Sequence, residues 1–472
     1  MKIDKPEEAC GIIGVVAPGK SVSRITFNGL NALQHRGQES AGIAVFDFNF
    51  FKLHKNMGLV LDVFADDILA QLCGHIAIGH TRYSTMGDSK LNNSQPFAIN
   101  TRLGTIALAH NGNIVNVIEL RDYLIEKGLS LSSSSDSEII LSLIAERIDD
   151  GYTLEDASLW SLSKCKGAYS LVIGSKDRLI VAKDPNGIRP LCLGRGKSGE
   201  VVVASESCAL DSIDAKYIRE LNPGELLDIN IRGNIKSSRI SAESKNNLCI
   251  FELIYFSRVD SFLYGSSLYT YRYKMGLELA KTAPVKADIV VPVPDSGLCA
   301  ALGYSYGSCI PLAQGLVKNQ FAKRTFIQPN YQSREVAIAL KLNPVRDVVS
   351  GKTVVIVDDS IVRGTTCKKI IEMLKTSGAK DIHLRIASPP VKYSCFYGID
   401  TDNTEQLIAA SLSEEDISYE LGASTLKYLN YKSMLGACDV NSNNDFCTAC
   451  FTGSYPVCLP YKGSVHKMIL EK

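Results

Sequence analysis

The 472-residue sequence has almost no net charge: lysine and arginine outnumber aspartate and glutamate by one. That excludes a surface-wide field for polyanions, so no nucleic acid is expected as a partner, while a local basic pocket stays open. No apolar run approaches the ~20 residues that span a bilayer. The opening MKIDKPEEA is charged, carries a helix-breaking Pro6 and lacks the apolar core of a secretory signal. No membrane partner is therefore expected, and the cytoplasm is the expected compartment. There is no internal repeat, and the one low-complexity patch is SLSSSSDSE (130–138). The length exceeds one ordinary core and predicts two or three domains.

Cysteine, by contrast, is plentiful, with fourteen in the chain. The spacing is irregular, and a reducing compartment disfavours disulfides. Most are expected to be buried, inert thiols: Cys73, Cys165, Cys192, Cys208, Cys299, Cys309, Cys367, Cys438 and Cys458. Those left are Cys10, Cys249, Cys395 and the pair in CTAC (447–450).

The first half reads as short apolar runs bounded by Gly, Asp or Asn: 10–16, 41–48, 75–81, 105–112, 169–175, 178–184 and 200–206. Helical period appears at 24–37 and 137–151. Together they predict stacked sheets with helices outside. The second half alternates strand and helix: ADIVVPVPDSG (287–297), GKTVVIVDDSIVRGTT (351–366), KKIIEMLKTSG (368–378) and IHLRIASPP (382–390). That order predicts a parallel sheet. The boundary is expected near 230–250, and after about 440 the pattern becomes a loop-rich tail.

Three segments of the first half end an apolar run in polar residues: HIAIGHTRYST (75–85), ALAHNGNI (107–114) and SSDSE (134–138). Arg82 has the fork to grip a carboxylate. Asn111 and the unobstructed N–H of Gly112 are the parts of an oxyanion hole. Asp136 can pair with an ammonium, so the set suits an α-amino acid. Each also has a bland reading. Asn-Gly marks a turn, Ser135 with Glu138 forms a capping box around Asp136, Arg82 fits a surface ion pair, and Cys10 fits a core thiol.

The blocks CGIIGV, LNALQHRGQESAGIAV, GHTRYST, AHNGNI and SDSEII, in this order, resemble the class II glutamine amidotransferase domain, an N-terminal-nucleophile αββα sandwich. The resemblance covers about 10–235. It implies that Cys10 attacks the glutamine amide, that Asn111 and Gly112 hold the oxyanion, and that Arg82, Gly112 and Asp136 bind glutamine. An N-terminal cysteine carries its own base, an α-amine of pKa about 7.7–8.0. In a peptide bond that amine is no base, so residues 1–9 are expected to be a propeptide.

VVIVDDSIVRGTT brings Asp358 and Asp359 to the end of an apolar strand, then a glycine and hydroxyl loop that opens a helix. A loop and helix start of this kind bind phosphate, and two carboxylates suit sugar hydroxyls or Mg²⁺. The string resembles the signature of type I phosphoribosyltransferases, which bind 5-phosphoribosyl-1-pyrophosphate (PRPP), so 250–440 is expected to be that parallel-sheet domain. The resemblance implies that Asp358, Asp359, Ser360, Arg363, Gly364, Thr365, Thr366 and Lys341 bind PRPP, with one Mg²⁺ per subunit at Ser296, Asp358 and Asp359. Segment 318–346 would close over PRPP. It has Ala339 where the family carries a basic residue. Tyr269 matches a family tyrosine between the two sites.

Four thiolates suit zinc or an iron–sulfur cluster alike, and spacing does not choose between them. The family that joins these two domains has a long form with a cleaved leader and a [4Fe–4S] cluster. Resemblance to it assigns one cluster per subunit to Cys249, Cys395, Cys447 and Cys450, within and beside a tail at 441–472. It further implies a homotetramer and feedback inhibition by purine nucleotides. The expected activity joins glutamine and PRPP into 5-phosphoribosylamine, the first committed step toward purine nucleotides. A different glutamine-dependent transferase would need a sugar isomerase half, and an inactive PRPP-binding regulator would need no nucleophile. Cys10→Ala is expected to abolish glutamine-dependent turnover and to spare turnover with free ammonia. A retained glutaminase rate would overturn the assignment.

Overall fold

The computed structural model describes residues 10–83, 88–319, 342–401, 403–438, 445–459 and 470. Residues 1–9, Lys341, Ala339 and most of segment 318–346 lie outside the described residues.

Side chains alternate across a strand, and Gly11–Val16 uses both faces. Ile12 and Val16 join Ala107, Ala109, Val172 and Val181 in one core. Ile13 and Val15 join Leu30 and Leu33 of the helical segment in another. The strand is therefore covered on both sides, which is why its sequence is apolar throughout. It lies in a seven-stranded antiparallel sheet that faces a six-stranded antiparallel sheet. The helix Val22–Ala32 covers the first sheet, and Asp136–Asp149 with Leu154–Lys164 cover the second through Leu141, Ile144, Leu162 and Leu171. The layers are αββα, as the sequence predicts. Strands with mixed burial, such as Phe51–Met57 and the edge strand Ile235–Arg239, were not legible from apolar runs.

The second half holds a four-stranded parallel sheet, Ile289–Pro292, Thr353–Asp358, Asp381–Ile386 and Thr425–Tyr428 in spatial order. Val290, Val355 and Val357 face one core and Val291, Val354 and Ile356 the other. The tail is not merely loop. Asp445–Cys447 pairs in parallel with Asn247–Cys249, and the short helix Ala449–Thr452 follows. Of the cysteines expected to be buried, Cys73, Cys309 and Cys458 are exposed instead. Among the described residues no helix is long and apolar enough to cross a membrane.

Helices Leu268–Thr282 and Leu298–Ser308 touch backbone to backbone. A side chain on Gly276 would strike the Ala300 carbonyl, and one on Gly303 the Tyr273 carbonyl. Gly303→Val is expected to cost about 3 kcal/mol through overpacking, read as a lowered midpoint in denaturant unfolding.

Candidate active sites and the junction between them

Gly11 pairs with Thr81 and Ile12 with His80, so the register sets Cys10 opposite Arg82. Cys10 is buried, and its Sγ donates to the Tyr83 carbonyl at 3.3 Å. Burial pushes the thiol pKa up; the Tyr83 bond and the Arg82 charge pull it down, while Glu39 and Asp136 push it up. Three of the predicted members, Cys10, Arg82 and Asp136, thus act on one another across one buried site. Arg82 lies 3.7 Å from the Glu39 carboxylate and donates to the Asp88 carbonyl at 3.2 Å.

The two sheets are tied where His80 Nε2 meets the His110 carbonyl oxygen at 3.1 Å. Asn111 follows directly. Its carboxamide is fully buried, and among the described residues neither its nitrogen nor its oxygen has a hydrogen-bond partner. A buried polar group in that condition costs about 1–3 kcal/mol, so its function has to account for it. Gly112 has φ +151°, and a Cβ there would collide with the Ala168 carbonyl. Only glycine fits. Asp136 opens its helix, and its Oδ2 accepts from the Ile114 N–H at 3.1 Å. The capping box expected there does not form. Ser135 caps the Ser137 N–H, but Glu138 turns back to the N–H groups of Ser132 and Ser133 at 2.8 and 2.7 Å.

In the second half, Asp358, Asp359 and Ser360 are buried at the carboxyl end of Thr353–Asp358. Asp358 Oδ1 accepts from the Asp359 N–H at 2.9 Å, and Ser360 Oγ donates to Asp359 Oδ2 at 2.6 Å. Gly364, at φ +83°, turns the chain into helix Thr365–Thr376, beside Arg363, which donates to Gln406 at 3.0 Å. The loop bearing Ser296 lies against the end of strand Thr353–Asp358. A side chain on Gly297 would meet the Val357 carbonyl and Asp358 Cα, so the loop approaches only as glycine. Lys318 reaches the same loop as an ion pair with Asp295. Tyr269 is exposed and stacks on Tyr273 at 6.0 Å.

Comparisons with known proteins agree with this division. Residues 80–212 match the glutamine amidotransferase domain and 277–389 the phosphoribosyl transferase domain. The chain is 49% identical over 471 residues to the amidophosphoribosyltransferase of Synechococcus elongatus, covering 99% of this chain and 95% of that protein. The chain belongs to the amidophosphoribosyltransferase family. It is 44% identical to the Mycobacterium tuberculosis member, over 99% of this chain and 90% of that one. The solved PRPP amidotransferase of B. subtilis, complexed with ADP and GMP, superposes with a TM-score of 0.90 at 43% identity, over 97% of this chain and all of that one.

The four cysteines assigned to a cluster come together in this family member. Cys249 and Cys447 are register partners in the parallel pairing of their strands. Cys450 lies near enough to Cys249, Cys447 and Cys395 that a thiolate on any of them pushes its own thiol pKa up, and Cys395 Sγ accepts the Tyr397 N–H at 3.4 Å. Among the described residues, no three or more His, Cys, Asp or Glu side chains are grouped so as to hold a metal ion. An all-thiolate donor set is the chemistry that suits a soft metal centre.

Between the halves lies a buried charge network that motif reading did not single out. Arg36 is 1% exposed and donates Nε to the Cys10 carbonyl at 3.1 Å. Its other nitrogens reach Glu206 at 2.6 Å and Glu252 at 2.8 and 3.0 Å. Arg189 donates to Glu252 at 3.3 Å and to the Tyr397 carbonyl at 2.7 and 3.1 Å. Arg272, which feels the Asp359 charge, donates to the carbonyls of Leu253 and Ser257 at 2.9 and 2.6 Å. Arg36 sits within the quoted block LNALQHRGQESAGIAV.

Burial alone would push the Glu206 carboxyl up, but His35 and Arg36 hold it well below the usual carboxylate range. Glu252, equally buried, is held down by Arg36 and Arg189. Both are depressed in the folded chain, so their stabilisation is complete above the unfolded value of ~4.3 and is lost as pH falls below it. Their contribution to the thermal midpoint is expected to stay level from neutral pH to about 5 and then fall. Glu252→Gln should cost about 3–5 kcal/mol at neutral pH and flatten the acid limb of that curve.

Proposed function

We propose that the two sites act in series, with Cys10 releasing ammonia that is consumed at Asp358–Thr366. The overall reaction is that of the family: glutamine, PRPP and water give 5-phosphoribosylamine, glutamate and pyrophosphate in purine biosynthesis. The observation that carries the glutaminase assignment is the Asn111 carboxamide, buried beside Gly112 with both polar atoms unbonded among the described residues. A tetrahedral oxyanion supplies the acceptor that its amide nitrogen lacks.

In the first step the Cys10 sulfur attacks the glutamine side-chain carbonyl carbon. The thiol proton passes through the α-amine of Cys10 to the departing nitrogen, and ammonia leaves. Asn111 and the Gly112 N–H stabilise the oxyanion, Arg82 holds the glutamine carboxylate and Asp136 its ammonium. Water then cleaves the thioester, releasing glutamate and restoring the thiol. This requires removal of residues 1–9, since only then is the amine free. In the second step ammonia bonds to C1 of PRPP as the bond to pyrophosphate breaks. Asp358 and Asp359 hold the ribose hydroxyls; Ser360, Arg363, Gly364, Thr365 and Thr366 hold the 5-phosphate at the helix start. Asp358, Asp359 and Ser296 would hold Mg²⁺, which offsets the charge of the leaving pyrophosphate. The nearness of Gly297 to Asp358 supports that grouping.

Cys249, Cys395, Cys447 and Cys450 would hold one [4Fe–4S] cluster per subunit, a structural and oxygen-sensing group. The B. subtilis relative is complexed with ADP and GMP, which supports purine nucleotides as feedback inhibitors here. A homotetramer in the cytoplasm completes the reading.

With the α-amine as base, glutamine-dependent turnover of the processed enzyme is expected to rise with pH and level off above about 7.7–8.0. Asn111→Ala should lower that plateau about 10²–10³-fold without moving the midpoint, and ammonia-dependent turnover should be unchanged. A moved midpoint, or an intact mass that still begins at Met1 in glutamine-active protein, would overturn the mechanism. Anaerobically purified protein should be brown, with iron and sulfide bound. Colourless protein with stoichiometric zinc would refute the cluster.

A further inference from the structure

Two chain segments that carry the assigned cysteines also grip the glutaminase site, at groups that the hydrolysis itself does not use. The first follows Cys395. The Phe396 carbonyl accepts from Asn113 Nδ2 at 2.9 Å, one residue past the oxyanion glycine. Gly398, at φ +99°, is pressed against that glycine. A Cβ on it would stand 3.3 Å from the Gly112 carbonyl group and 3.1 Å from Arg189 Nη2.

The second segment follows Cys249, whose own N–H bonds the Ile188 carbonyl at 3.0 Å. Three residues on, Glu252 is fully buried and takes both Arg36 nitrogens. Arg36 in turn holds the Cys10 carbonyl. The two arms meet at Arg189, whose guanidinium bonds Glu252 on one side and the Tyr397 carbonyl on the other. An arginine fork fixes both directions at once, and a lysine ammonium at that depth does not.

We propose that the four-cysteine centre is a positioning clamp for glutamine hydrolysis. Through Arg189 it sets the oxyanion strand at Gly112 and the nucleophile peptide at Cys10 relative to each other. The proposal rests on the reading of Cys249, Cys395, Cys447 and Cys450 as one metal centre. Losing the centre frees the 395–398 loop and the 249–252 segment, and the glutaminase site loosens. The PRPP site, anchored in the parallel sheet, keeps its geometry. Arg36, Glu252 and Arg189 are positioning residues, because none touches glutamine.

The test uses the full-length protein, purified without oxygen, and its Arg189→Lys variant, each before and after metal is stripped with a chelator. Four quantities are read: iron content, the rate of Cys10 alkylation by a diazoketone analogue of glutamine, hydrogen exchange over 10–16 and 107–114, and ammonia-dependent turnover. Stripping wild type should slow maximal alkylation about tenfold or more and raise exchange in both peptides. The analogue's half-saturation and the ammonia-dependent turnover should stay nearly constant. Arg189→Lys should be slow before stripping and change little on stripping, because both act through one chain of contacts. Glu252→Gln provides the second variant and should show the same non-additivity. Iron-loaded protein in which the two effects simply multiply would overturn the clamp and leave the metal centre standing. Wild type without bound metal would overturn the centre, and the clamp with it.

Discussion

The ion network of Arg36, Glu206, Glu252 and Arg189 is the constraint on which the relation between the halves depends. Charges this deep lose their hydration, and their attraction offsets that loss only when geometry and remaining hydrogen bonds are both satisfied. Here the remaining donors go to main-chain carbonyls, those of Cys10 and Tyr397. The network therefore fixes backbone, not just side chains. It is a weak source of net stability and a strong source of registration, since any relative slip of the two halves would leave a buried charge alone.

That registration matters because each half builds its site in a different way. In the sandwich, Cys10, Arg82 and Asn111 sit at strand positions where the two antiparallel sheets approach, and the His80–His110 contact joins the sheets beside them. In the parallel sheet, Asp358 and Asp359 emerge at a carboxyl end, where open α/β sheets place their ligands. Arg272 lies between these designs. It feels Asp359 and holds the carbonyls of Leu253 and Ser257, and the Ser257 hydroxyl donates to Glu252.

Much of this was legible in the sequence, for reasons particular residues make clear. Gly11–Val16 and Thr353–Asp358 are covered on both faces, so their apolar runs announced them. Asn111, Gly112 and Asp136 lie in short blocks where chemistry and chain order coincide. Glu138 was misread because a capping-box spacing is also the spacing at which a side chain can turn back to Ser132 and Ser133. Arg36 and Glu252 lie 216 positions apart, and no local period encodes a pair so distant. Phe51–Met57 stayed hidden because its side chains are mixed in burial and charge.

The parallel pairing of Asn247–Cys249 with Asp445–Cys447 has a consequence in time as well as in space. A chain leaving the ribosome presents its whole sandwich, Cys10 included, long before the strand that pairs with Asn247–Cys249 has been made. The strand partner of the segment leading to Glu252 is therefore made later than every residue of the Arg36–Glu206–Glu252 network. A chain stopped before 445 carries Asn247–Cys249 without its strand partner. The pairing thus ties a segment at the junction of the two halves to one that is made only after the parallel sheet.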